Sequence, residues 1–253
     1  MAKLKSVYFC SNCGYESPKW MGKCPACGEW STFVEELVRK NAVSAQEDTR
    51  SFSDIKSKPL PLKDIKADEE QRIDMRDGEL NRVLGGGLVP ASVVLVGGEP
   101  GIGKSTLVLQ TILKLKGVRS LYVSGEESAR QLKLRADRLS IENDDCLLLC
   151  ETNLDDIFKH VKEVAPQLLI VDSIQTIFTE SLESSPGSIS QVRECASLLL
   201  KYAKQSGTPV LLVGHITKDG SIAGPKILEH IVDAVLQFEG DQHYMYRILR
   251  GIK

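Results

Sequence analysis

From about residue 66 onward, short apolar runs alternate with segments whose apolar residues recur at helical spacing. The runs are SVVLVG at 92–97, LYVS at 121–124, QLLIVD at 167–172 and PVLLVGH at 209–215. Their near-continuous apolar character predicts strands buried on both faces, as in a parallel sheet. Between them, STLVLQTILKLK and SARQLKLRADRL read as helices. So does 188–204, where Ile189, Val192, Ala196, Leu199 and Ala203 mark one buried face. Cys195 falls in that predicted core, and Cys146 and Cys150 are expected to be buried on a strand of their own. The last elements, DAVLQFEG and YMYRILR, read as an antiparallel pair at the sheet edge. Strand and helix in alternation predict an α/β domain with a mostly parallel sheet over 66–253. Upstream, 36–65 is polar, lacks clean periodicity and ends near Pro59 and Pro61, which predicts a flexible linker. That leaves 1–35 as a separate small module.

The module carries its own chemistry. It holds four of the seven cysteines and both tryptophans of the chain. The spacing is Cys10-x2-Cys13 and Cys24-x2-Cys27, with ten residues between the pairs. Each C-x-x-C turn brings two thiolates to one point, and two turns supply the four sulfurs of a tetrahedral zinc site. Four cysteines leave no open position, so the expected Zn2+ is structural and folds a segment too short to build a core. A disulfide pair or a redox C-x-x-C is the competing reading, disfavoured by the duplication and by the reducing compartment expected here. Trp20 and Trp30 either cover the metal or offer a stacking surface, and at least one is expected to cover it. Lys19 and Lys23 stand beside them in sequence.

Composition narrows the class. At 253 residues, 42% hydrophobic and 26% charged, the chain is ordinary for a globular protein. No apolar run approaches a membrane span. The start, Met1-Ala2-Lys3-Leu4-Lys5, has no apolar stretch of the secretory kind, so a cytoplasmic setting is expected. A formal net charge of −2 gives no general basic field, and any nucleic acid must be held by local patches or by several copies in a ring.

The first strand runs into Gly98-Glu99-Pro100-Gly101-Ile102-Gly103-Lys104-Ser105-Thr106, a complete phosphate-binding loop between strand and helix. Its backbone N–H groups can turn toward the phosphates of ATP. Lys104 should reach the β- and γ-phosphates, and Ser105 should ligate Mg2+. QLLIVD ends in Asp172, an acid placed to hold Mg2+ directly or through water, with Ser173 beside it. LYVS leads into GEES, where Glu126 is expected to activate the attacking water; the competing reading is that Glu126 and Glu127 both cap the following helix. His215, at the end of PVLLVGH, is either a γ-phosphate sensor or a structural strand-end histidine. Two loops follow the same edge, 178–190 and 217–226, and Lys218 and Lys226 in the second suit contacts to DNA phosphates.

Taken together, YFCSNCGYESPKWMGKCPACGEW, ELNRVLGGGLVPASVVLVGGEPGIGKST, LYVSGEES, LLIVDSIQT, LLVGHITKDGSIAGPKILEHIVDAVLQFEGD and YRILRGIK resemble the amino-terminal part of the bacterial RadA (Sms) family. The resemblance covers essentially the whole chain except the linker. It implies a RecA-like P-loop NTPase core assembling as a homo-hexamer on single-stranded or branched DNA. It also implies a DNA-dependent, helicase-type ATPase active in recombination, repair and branch migration beside the recombinase RecA. In that family YRILR leads into Lys-Asn-Arg-Phe-Gly, and here the sequence ends at Lys253, the position of the motif's lysine, which in the family reaches a neighbouring subunit's nucleotide. The resemblance therefore implies a fragment without the family's Lon-protease-like domain. Two other readings of the same motifs stand beside the DNA motor: a P-loop regulatory ATPase that never grips DNA, and an adaptor whose zinc module recruits a protein.

Overall fold

The computed structural model describes residues 5–38, 59, 61–64, 72–215, 228–240 and 246–253. It begins with a three-stranded antiparallel sheet. β1 (Lys5–Cys10) lies between β2 (Glu16–Ser17) and β3 (Phe33–Val38). β3 thus continues past residue 35, and most of 36–65 lies outside the described residues.

The larger sheet holds seven strands. They are β4 (Val93–Gly98), β5 (Ser120–Ser124), β6 (Cys146–Cys150), β7 (Leu168–Asp172), β8 (Val210–His215), β9 (Ala234–Gly240) and β10 (Arg247–Gly251). Their order is β10-β9-β4-β8-β7-β5-β6. All neighbours run parallel except β9 and β10, which form the expected antiparallel edge pair. The predicted α/β sheet is therefore present.

The pleat sorts each strand's residues between two helical layers. On one face, Val94, Val96, Tyr122, Leu168, Ile170, Leu211 and Val213 pack with α2 (Lys104–Lys114) and α3 (Ala129–Leu139). Leu80 of α1 (Gly78–Val83) joins them. On the other, Leu95, Val123, Leu169, Val171 and Leu212 pack with α4 (Leu154–Val164) and α5 (Ile189–Ser206). Local signals set the helix ends. Ser128 and Gln131 form a reciprocal capping box at α3, and Asn153 and Ser188 cap α4 and α5 with their side chains.

Two expectations about buried residues are corrected. Cys146 is half-buried and Cys150 is exposed, because β6 is the outermost strand and only β5 pairs with it. Cys195 is fully buried as expected, and burial pushes its thiol up to about 12. The small sheet also packs against the large domain. Phe9 belongs to the same core cluster as Ile189 and Val192. Glu36 Oε1 accepts from the Ile189 N–H at 2.9 Å, and Arg193 Nη1 donates to the Gly14 carbonyl at 3.1 Å.

Candidate functional site

Parallel strands place their carboxyl ends, and the residues that follow, along one edge of the sheet. β4, β5, β7 and β8 bring Gly98, Glu126, Asp172 and His215 to that edge. The loop 99–103 leaves β4 there and enters α2 at Lys104, with Gly103 as the helix N-cap at φ +108°. The left-handed conformation suits glycine and turns backbone N–H groups toward the space before the helix. Ser105 and Thr106 occupy the first turn.

Lys104 is buried, with 4% of its surface exposed. Its Nζ donates to the carbonyls of Gly98 at 2.8 Å and Glu99 at 2.9 Å, so the side chain folds back over its own loop. Burial pushes its pKa down, against the attraction of Asp172 and Glu126. Nζ also stands 3.2 Å from His215 Nδ1, and His215 Nε2 lies 3.0 Å from Glu126 Oε1. Ser173 Oγ donates to the same Glu126 oxygen. Burial raises the Glu126 pKa, and the hydrogen bonds from Ser173 and His215 lower it. With the charges of His215 and Lys104 added, the carboxyl is held below the usual glutamate value. The carboxyl is therefore ionised at neutral pH, the state a general base requires.

The two acids of GEES diverge. Glu127 pairs with Arg135 of α3, and its Oε2 is buried without a hydrogen-bond partner among the described residues. Asp172, 7% exposed, accepts a hydrogen bond from the Tyr122 hydroxyl. Sequence reasoning missed Tyr122 and Arg135, since their partners are set by cross-strand register and helix packing. It also missed Gln175, whose Nε2 donates to the His215 carbonyl at 3.3 Å from the turn after β7. Lys218 and Lys226 lie outside the described residues. The preceding loop is pinned: Gln191, 1% exposed, donates through Nε2 to the carbonyls of Thr179, Leu182 and Ser184. Lys253 Nζ donates to the carbonyls of Glu229 and Val232, toward the start of β9 and away from the phosphate-binding loop.

In the small sheet, the Sγ atoms of Cys10, Cys13, Cys24 and Cys27 lie within 4.8 Å of one another. Cys10 and Cys27 are 3.7 Å apart, and Cys13 and Cys24 are 3.5 Å apart. Four sulfurs about 2.3 Å from a tetrahedral zinc would be separated by about 3.8 Å, so the donor set fits Zn2+. The two knuckles repeat each other. Gly14 and Gly28 donate to the carbonyls of Cys10 and Cys24, at φ +72° and +77°. Burial pushes the Cys13 thiol up to about 12. At Cys27, hydrogen bonds from Glu29, Asn12 and the neighbouring thiols outweigh burial and bring it down to about 6.

Trp20 and Trp30 do not cover this cluster. They are 56% and 69% exposed, and Phe33, Tyr8 and Met21 pack against the cysteines instead. The two indoles flank Gly22, and Lys23 Nζ sits 5.6 Å from the Trp30 ring.

Comparison with known proteins agrees with both sites. A family model described as a rubredoxin metal binding domain matches residues 8–35, and one described as an AAA domain matches residues 56–221. The DNA repair protein RadA of Bacillus subtilis is 52% identical over 255 residues, covering 100% of this chain and 56% of the relative. RadA of Aquifex aeolicus is 50% identical over 257 residues and RadA of Pseudomonas aeruginosa 47% over 254, each again covering 100% of this chain and 56% of the relative. The chain spans about half the length of the curated relatives it matches. With more than half of its residues within the AAA domain model and end-to-end similarity to these RadA proteins, the chain belongs to the AAA domain family.

Proposed function

We propose that the chain is the zinc-ribbon and ATPase portion of a DNA-repair motor, which hydrolyses ATP and couples it to movement on single-stranded or branched DNA during recombination. The observation that supports this reading best is the convergence of Lys104, Glu126, Asp172 and His215 on one sheet edge. The RadA relatives supply the biological setting. In this reading the zinc module runs through β3 to Val38, a linker follows up to residue 65, and 66–253 is the motor core. The assembly is a cytoplasmic homo-hexamer working beside the recombinase. No helix among the described residues is long and apolar enough to cross a membrane.

The residues divide the chemistry as follows. The loop Gly98–Gly103 and Lys104 bind the phosphates of ATP, and Ser105 with Asp172 holds Mg2+. Bound Mg2+ supplies neutralising charge at the phosphates. Glu126 takes the proton of the attacking water. His215 registers whether a γ-phosphate is present, a role supported by its contacts with both Glu126 and Lys104. Residues 216–227, with Lys218 and Lys226, follow His215 directly and carry that state to DNA. The test is ATP turnover of this chain, and of one extended past Lys253, with and without single-stranded DNA. Stimulation by DNA is expected in the extended chain. Its absence there would favour a regulatory ATPase.

The exposed Trp20–Gly22–Trp30 surface favours a second role beside the motor, recruitment by the zinc module. Aromatic faces next to lysines suit stacked bases or a protein partner. Capture of RecA by residues 1–38 loaded with zinc would support it.

A further inference from the structure

Tyr122 is a fully buried tyrosine, 0% exposed, in the middle of β5. A phenol in that position would leave its hydroxyl without water, so the fold must give it a partner. The strand register decides which one. β5 and β7 are parallel, with Tyr122 opposite Ile170 and Ser124 opposite Asp172. Residues 168, 170 and 172 alternate onto the face that packs under α2, and Tyr122 lies on that same face. The ring therefore extends along the sheet toward its carboxyl edge, where the hydroxyl donates to Asp172 Oδ2. That bond occupies one oxygen of a carboxylate that is itself only 7% exposed. Oδ1 has no comparable bond among the described residues.

We propose that Tyr122 is a positioning residue for the magnesium site: it fixes the Asp172 carboxylate so that the remaining oxygen is presented to Mg2+ at the phosphate-binding loop. The inference rests on the reading of Asp172 as a Mg2+ residue. Phenylalanine would fill the same space without the donor. Asp172 would then be free to rotate, and the ordered carboxylate would have to be re-formed each time the cation binds.

The experiment titrates Mg2+ into the protein with a fluorescent ATP analogue and reads binding, in the parent, in Tyr122→Phe, in Asp172→Asn and in the double variant. A hydrogen bond to a charged acceptor predicts a Mg2+ midpoint raised roughly tenfold in Tyr122→Phe. Analogue affinity without Mg2+ should be unchanged. Tyr122→Phe should add nothing to Asp172→Asn, because both changes act on one interaction. A midpoint equal to the parent's would overturn the proposal, and so would an equal loss with and without Mg2+, which would mark a structural role. A parent whose analogue binding ignores Mg2+ would sink the magnesium reading itself and this inference with it. If Tyr122→Phe does not fold, site-specific difluorotyrosine at 122 keeps the ring and strengthens the donor. Its Mg2+ midpoint should then move at least about twofold by the same hydrogen-bond argument, and an unmoved midpoint overturns the role.

Discussion

Lys104 Nζ and His215 Nδ1 stand 3.2 Å apart, although 111 positions separate the two residues in sequence. The other ring nitrogen meets Glu126 at 3.0 Å. One imidazole thus joins the residue assigned to the phosphates and the residue assigned to the water. A phosphate reaching Lys104 must compete with, or reshape, that bridge. His215→Ala is expected to leave ATP affinity within about threefold and to lower single-turnover hydrolysis by roughly tenfold or more, because Glu126 loses an orienting partner. Near-normal hydrolysis in this variant would reduce His215 to a strand-end histidine.

Glu126 and Glu127 are adjacent, yet their surroundings assign them different work. Glu126 meets Ser173 and His215, and Glu127 pairs with Arg135. Glu126→Gln should bind ATP normally and hydrolyse it about 10²–10⁴-fold more slowly. Glu127→Gln should keep its turnover, since its carboxylate is engaged by Arg135 and not by His215 or Ser173. The reverse pattern in steady-state turnover would move the base to Glu127. Lys104→Ala removes the buried cation and should abolish hydrolysis and sharply weaken ATP binding.

Burial lowers the pKa of Lys104, and the phosphates of a bound nucleotide would raise it again. Binding then favours the protonated lysine. The sign follows: affinity is complete below the lowered pKa of the free protein and is lost as pH climbs from there toward the bound-state value. The loss should begin below the ordinary lysine value of 10.5. Equilibrium binding of ATP across the alkaline range, with proton uptake measured in two buffers, checks this. Affinity that stays flat until the protein unfolds would show that the lysine charge is not what the phosphates require.

The periodic apolar runs made the sheet and its helices legible, because a strand buried on both faces and an amphipathic helix differ in pattern as well as in length. The phosphate-binding loop and the four cysteines were legible for a different reason: their chemistry is local in sequence. The Tyr122–Asp172 and Gln175–His215 contacts were not, since each depends on the spatial order of strands. The same holds for Cys150, whose strand has a buried pattern but an edge position. The tryptophans misled because a small metal module can be closed by Phe33 and Met21, leaving larger rings outside.

The zinc module is joined to the P-loop domain by a contact that the linker reading did not anticipate. Glu36 accepts from the Ile189 N–H, and Ser190 Oγ donates to Glu36 Oε2 at 2.6 Å. Both donors lie in the first turn of α5, where a carboxylate also meets the positive end of the helix. Ser190 Oγ also lies 2.9 Å from Ser184 Oγ, whose hydroxyl can donate to it, in the loop that Gln191 pins. The ribbon therefore supports the start of the helix that follows the Asp172 strand. Metal binding folds such a module, so one zinc per chain should be measured, and Cys10→Ser should unfold the ribbon while the P-loop domain stays folded. Glu36→Ala removes both acceptors and, at a typical helix-cap contribution of about 1 kcal/mol, should speed amide exchange at Ile189 and Ser190 by roughly fivefold. Chelation of the zinc should speed the same amides, with little change in β4 or β8. If exchange at the start of α5 is identical in the parent, in Glu36→Ala and after chelation, the ribbon does not hold this helix, and the contact is one the folded protein does without.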